Sequence, residues 1–320
     1  MTQDSLTTTQ PTHRVKLHQT QLLLVRGPDA TKFLQGQVTC DLRELTDPVT
    51  RIGAQCNPKG RILLSFRALQ IDDETIALRI PASMLEKAKN SLGKYIVFSK
   101  AKLHDDGGYI LYGIYGDEAK QTVETIFKNS PAVNDGWIEQ DGNFLIQLSE
   151  NRYECWVKTS EINNFEHQLA GHTLSGDIND WELQNIRAGI ADIYPETIEL
   201  FTPQEINYQL INGINFRKGC YTGQEIVARL HYRGKLKRHM YRFKLSGNQL
   251  PSPGSALVSV TTQQACGYLV AAAHTSDHQI EILASLLDEQ LDQVRLESNA
   301  EILKQLPLPY AIPTADEITD

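Results

Sequence analysis

In the first hundred residues the apolar positions fall mostly in short runs and alternations, the spacing of strands. Residues 22–25 are a continuous apolar run of strand length. Segments 51–56 and 61–71 flank Asn57-Pro58-Lys59-Gly60, and this turn chemistry predicts a hairpin. In its second arm Ile62, Leu64, Phe66 and Ala68 share one face. A further strand is predicted over 75–80 and a strand-rich stretch over 95–103. Gly27-Pro28-Asp29 opens a helix through Gln35, and Ser83 with Glu86 has the capping-box spacing of a helix over about 84–92.

Asp105-Asp106-Gly107-Gly108 marks a boundary. Strands over 109–115, 143–148 and 153–157 then alternate with helices over 118–127 and 161–169, a second small α+β unit. After a break at 171–176 a helix is predicted over 179–189, with Leu183, Ile186 and Ile190 as its apolar stripe. At about 100° per residue Trp181 lies nearly opposite that stripe, so it either packs on another domain or faces a cavity. Beyond Tyr241 the pattern turns to short strands over 256–260, 267–273 and 279–283, a small β-barrel or sandwich. The class is α+β.

Composition narrows the function. At 320 residues, two or three domains are expected. Hydrophobic residues make up 41% and charged residues 22%, which excludes a disordered chain. No apolar run reaches membrane-spanning length, and residues 1–15 carry no signal-peptide core, so a cytoplasmic protein with no membrane partner is expected. The five cysteines are scattered without a C-x-x-C, which argues against disulfides and a zinc ribbon. No metal-ligand set is visible. The formal net charge is −8, yet residues 216–244 hold nine basic residues, Arg217, Arg233 and Lys235 among them, against the single acid Glu225. Such a stretch suits a localised anionic ligand or a solvated positive face.

That stretch contains Lys218-Gly219-Cys220-Tyr221-Thr222-Gly223-Gln224-Glu225. Thr222 and Glu225 have capping-box spacing, which predicts a helix from Gly223 through Leu230, with Cys220 two residues before the N-cap. A helix N-terminus with Arg217 and Lys218 beside it favours a thiolate. Gly219 and Gly223 permit a backbone path that side chains would obstruct. The residues alone leave two readings of Cys220 open: a reactive thiol, or a buried cysteine at a tight turn. The other four cysteines read as structural, and His231 as a surface residue.

The run resembles the K-G-C-Y-T-G-Q-E signature of the YgfZ family of folate-binding proteins, without a departure. Similarity continues through Gly27-Pro28-Asp29-Ala30, Gln35-Gly36-Gln37, Lys94-Tyr95 with Val97-Phe98-Ser99-Lys100, Val227-Ala228-Arg229, Arg233-Gly234 and Pro307-Leu308-Pro309-Tyr310. The resemblance implies kinship to the glycine-cleavage T-protein. It implies a three-domain ring around a central channel: two ferredoxin-like-type α+β domains and a small C-terminal β-barrel. The first domain would comprise 1–104 plus 176–240, the second 105–175, the third 241–320.

It further implies bound tetrahydrofolate or a derivative. The implied partners are iron–sulfur enzymes or assembly factors, tRNA-modifying ones included. Family members present tryptophan to the folate at two places. Trp181 matches one, and the other falls at about Thr20, which is not aromatic, so one stacking surface is missing. Lys218, Gly219, Tyr221, Thr222, Gly223, Gln224, Glu225 and Arg229 would support Cys220 as the reactive thiol. Two other functions fit the residues. One is a folate-dependent one-carbon transferase, weakened because the motif holds a cysteine and no obvious carboxylate to manage the proton. The other is an RNA-binding module, with Tyr221, Tyr232 and Tyr241 as stacking residues and direct tRNA binding.

Overall fold

The computed structural model describes residues 11–105, 108–232, 236–275 and 278–313. Asp106 and Gly107 of the expected boundary lie outside the described residues, as do Arg233, Gly234 and Lys235.

The chain enters through β1 (His13–Lys16) and β2 (Thr20–Arg26), followed by α1 (Ala30–Gln35). The predicted hairpin is β3 (Arg51–Cys56) and β4 (Ile62–Asp72), and its arms pair from Arg51↔Ala68 to Cys56↔Ile62. Next come β5 (Thr75–Pro81), α2 (Leu85–Ile96) and β6 (Lys102–Asp105). These build a five-stranded antiparallel sheet in the order β3-β4-β5-β2-β6. The apolar run at 22–25 is continuous because both faces of β2 are covered. Leu23 and Val25 enter one core, while Leu22 and Leu24 enter another.

Two expectations fail here. Ser83 caps nothing: a 3-10 turn (Ala82–Met84) leads into α2, whose N-cap is Met84. The strand expected from Tyr95 is still helix, because Leu85, Ala88, Leu92 and Ile96 continue one apolar face onto the core.

The second sheet collects β7 (Tyr109–Tyr115), β8 (Trp137–Gln140), β9 (Asn143–Ser149), β10 (Arg152–Lys158) and β11 (Leu174–Ser175) in the order β11-β1-β7-β10-β9-β8. The half-exposed β8 gave no sequence signal. One face carries α3 (Ala119–Phe127) and α4 (Ile162–Ala170), whose Val123, Phe127 and Phe165 pack over Ile114, Leu145 and Tyr153. The other face, with Leu111, Tyr115 and Trp156, meets Leu22, Leu24, Leu69 and Ala77 of the first sheet.

Then follow α5 (Ile178–Arg187), a run of short 3-10 turns and α6 (Gln224–Tyr232). The third sheet comprises β12 (Arg238–Ser246), β13 (Ala256–Ser259), β14 (Ala265–His274), β15 (Gln279–Leu287), β16 (Val294–Leu296) and β17 (Lys304–Leu306). Its order is β16-β13-β14-β15-β12-β17. A bridge from Arg295 to Ile302 and a bond from Leu303 N to Val294 O (2.9 Å) draw the two edges together. The sheet is therefore a curled half-barrel. It docks through Asn179, whose amide exchanges hydrogen bonds with the His274 backbone at 2.9 and 2.8 Å.

Candidate functional site

The motif loop, residues 215–223, is pinned from below. The Lys218 ammonium is buried and donates to three carbonyls: Gln35 O at 2.9 Å, Val38 O at 2.5 Å and Cys40 O at 2.8 Å. An ammonium carries three N–H donors, and all three are used. It also lies 5.0 Å from the centroid of the buried Tyr221 ring, a cation–π contact. Burial pushes the Lys218 pKa down to about 8, with Cys40 and Asp41 opposing the fall. The full positive charge expected beside Cys220 is thus turned inward and spent on the backbone. Arg217, on the other side, is exposed.

Gly223 has φ +85°, and a Cβ there would meet Asn57 O at 2.5 Å and Cys56 Cβ at 3.0 Å. The motif glycine therefore lets the loop lie against the β3–β4 hairpin turn. α6 begins at Gln224, one residue later than expected, since Gly223 occupies the position just before it. No side-chain hydrogen bond from Thr222 or Glu225 caps it among the described residues; Thr222 instead donates its backbone N–H to Gly36 O at 3.3 Å. Gly219 does not share the role of Gly223, because a Cβ there meets nothing within 4 Å. Gln224 is half-buried, while Glu225 and Arg229 are exposed.

On this pinned loop Cys220 is exposed, whereas Cys40, Cys56, Cys155 and Cys266 are buried. Burial pushes Cys40 and Cys56 up to about 12 and raises Cys155 and Cys266 as well. Buried, protonated thiols are poor nucleophiles. Of the two readings of Cys220, the buried structural cysteine is the one the structure removes.

Below the loop opens a cleft of ≈560 Å³ lined by Asp41, Glu44, Arg51, Asn215, Phe216, Arg217, His231 and Tyr232. Phe216 and His231 stack with centroids 3.7 Å apart, and Tyr232 stands 66% exposed beside them. Burial lowers the His231 pKa from its ordinary value.

Trp181 is elsewhere. It is fully buried between the first two sheets, with the Arg152 guanidinium 4.0 Å over its ring and the Tyr115 ring 6.1 Å away. A Cβ on Gly113 would strike the indole at 2.5 Å. The ring has no face free for a pteridine, and the packing alternative accounts for its position off the apolar stripe. Thr20 is also engaged, its hydroxyl donating to Leu17 O at 2.9 Å.

Sequence reasoning missed a buried ionic cluster near Trp181. Arg79 of β5 lies 2.8 Å from Asp192 and 3.4 Å from Glu154. Ser65 donates to Asp192 at 3.1 Å, and Arg152 donates to Asn185 at 2.5 Å. Burial works against the Arg79 charge, but Glu154 and Asp192 outweigh it and its pKa rises. Burial takes Arg152 down to about 9. Nε of Arg79 and Nε of Arg152 are buried without a hydrogen-bond acceptor. The only trace in the sequence is that Arg79 and Glu154 are charged residues inside largely apolar strand runs, with nothing to show that they meet. A narrow cleft of ≈20 Å³ opens between Arg67, Arg79, Glu154, Asn185 and Asp192.

Among the described residues no His, Cys, Asp or Glu group of three or more is placed to hold a metal, and no helix is long and apolar enough to cross a membrane.

This architecture is the aminomethyltransferase fold. The glycine cleavage system aminomethyltransferase T from Bartonella henselae matches with a TM-score of 0.73, covering 93% of this chain and 86% of that one at 14% identity. The chain itself belongs to the YgfZ family. It is 30% identical over 316 residues to the tRNA-modifying protein YgfZ of Escherichia coli O45:K1, covering 95% of this chain and 97% of that one. It is 32% identical over 309 residues to the protein of the same name from Yersinia enterocolitica serotype O:8, covering 94% and 93%. No protein-family model matches the chain.

Proposed function

We propose that this protein acts in tRNA modification through the Cys220 thiol, offered at the surface to a macromolecular partner. The observation that carries the reading is that Cys220 is exposed on a loop whose neighbour Lys218 is buried and triply bonded, while the other four cysteines are buried. A thiol on a fixed loop reaches a large partner without the partner entering a cavity. Arg217, exposed three residues earlier on the same loop, favours anionic surroundings. Iron–sulfur enzymes or assembly factors are the partners this reading names. The three-domain ring, with 105–175 and 241–320 as its second and third units, belongs to the same reading.

The test uses a strain lacking its own copy of the gene. Cys220→Ser and Cys220→Ala are expected to restore neither thiolated tRNA bases nor iron–sulfur enzyme activity, whereas the unaltered chain restores both. Full recovery by either variant removes Cys220 from the mechanism.

Tetrahydrofolate enters this reading through the relatives' fold. The contact expected at Trp181 does not fit it, since the indole is fully buried, whereas Thr20 is half-buried and its hydroxyl, donating to Leu17 O, can still accept. The polar cleft around Arg79 and Asp192 offers guanidinium donors from Arg67 and Arg79 and carboxylate acceptors from Glu154 and Asp192, which suit a pteridine edge. Its ≈20 Å³ holds about one water, so the residues present do not accommodate the ring as they stand, and no step is assigned to it. Calorimetric titration with a reduced folate discriminates the two places. Binding abolished by Trp181→Phe but not by Asp192→Asn would restore the indole as the contact.

A further inference from the structure

Among the described residues, the most exposed large apolar group is unrelated to the thiol in sequence. At the end of α2, Phe98 is 94% exposed, Val97 70% and Tyr95 42%. The turn that carries them is held firmly. Ser99 donates its N–H and its hydroxyl to Ile96 O at 2.9 and 3.0 Å, and Lys100 N donates to the Asp29 carboxylate at 2.8 Å. Gly27, with φ +133°, lets the chain pass Lys100, whose carbonyl a Cβ would meet at 2.2 Å. A rigid turn that presents an aromatic ring to water is preorganised to bind.

Charge selects the partner. Residues 87–102 contain five lysines and no carboxylate, on a chain of net charge −8. Lys89 is engaged by Glu86 and Asp105. Lys87, Lys94, Lys100 and Lys102 are exposed. Two exposed rings among four exposed lysines match a single-stranded nucleic acid, whose bases stack while its phosphates pair with lysine.

The patch is also close to the motif. α1 starts beside Lys100, through Asp29, and ends beside the motif, where Gln35 O accepts from Lys218 and Gly36 O from Thr222. Its six residues span about 9 Å.

We propose that the turn at Tyr95, Val97 and Phe98 is an RNA-stacking contact that holds an unpaired segment of tRNA beside the Cys220 loop. This rests on the tRNA reading above and adds the element that grips the substrate. Phe98 supplies the stacking face, Tyr95 a second one, and Lys94 and Lys100 the phosphate contacts.

The test measures binding of unmodified tRNA and of a uridine oligonucleotide to the full-length protein across a salt series. Phe98→Ala is expected to weaken both by about 5- to 100-fold, as the loss of one stacked base implies. Phe98→Trp, which keeps a ring, is expected to stay within about 2-fold of the wild type. Lys94→Gln with Lys100→Gln is expected to flatten the salt dependence by about 0.7 per lysine. A side chain this exposed leaves stability unchanged, which a melting curve checks.

RNA binding by Phe98→Ala equal to wild type overturns the inference and leaves the Cys220 reading intact. So does a loss confined to vesicles of phosphatidylcholine and phosphatidylglycerol, which would make the turn a lipid contact. If the wild type itself binds no tRNA, the inference fails, while the Cys220 reading is decided separately by the complementation assay.

Discussion

Lys218 and Cys220 divide the labour of the motif at the level of single side chains. The lysine builds the loop, and the cysteine is what the loop displays. Lys218→Met keeps the aliphatic stem but leaves three carbonyl oxygens without their donor. At about 1–3 kcal/mol for each buried acceptor left unpaired, with partial relaxation, a loss of roughly 2–5 kcal/mol is expected in urea unfolding. Thiol labelling reports the same defect. The native wild type should give one fast equivalent of its five cysteines, lost in Cys220→Ser, and Lys218→Met should release further equivalents as Cys40 becomes accessible. The motif marked these residues in the sequence, but not their orientation. A lysine beside a cysteine reads as a charge for the thiol until its three acceptors, all between Gln35 and Cys40, are seen.

Among the secondary-structure elements, Gly223 ties α6 to the β3–β4 hairpin. Gly223→Ala would place a methyl group 2.5 Å from Asn57 O in a backbone conformation that costs a non-glycine residue about 1–2 kcal/mol by itself. A drop of several degrees in melting temperature is expected, with loss of function in the complementation assay even though Cys220 is untouched. Helices and strands with strong periodicity were legible, as in the hairpin and in α5. What failed were the ends. Ser83 and Thr222 both show capping-box spacing, yet a 3-10 turn displaces one and a left-handed glycine the other. Four residues of spacing cannot register a neighbour packed from another part of the chain.

Across the whole molecule, the first two sheets meet through an apolar layer with ions embedded in it. Glu154 is 1% exposed, accepts from Trp156 Nε1 at 2.7 Å and faces Arg79. Glu154→Leu leaves Arg79 with Asp192 as its remaining carboxylate and Trp156 Nε1 without its acceptor, and should cost about 1–3 kcal/mol, read as a lowered urea midpoint. The α+β class was visible in the alternation of patterns. The ion cluster was not, because its members lie on β4, β5, β10 and the segment after α5, and only tertiary pairing unites them. β1 carries a consequence of its own. His13 sits between Tyr115 and Leu174, so the first of the described strands belongs to a sheet whose other described members are made much later. It must wait, unpaired, while the sheet next to it assembles. A nascent chain stalled before β7 would therefore expose Val15 and Leu17 to chaperones, and an affinity tag crowding the start of β1 would loosen the second sheet before the first.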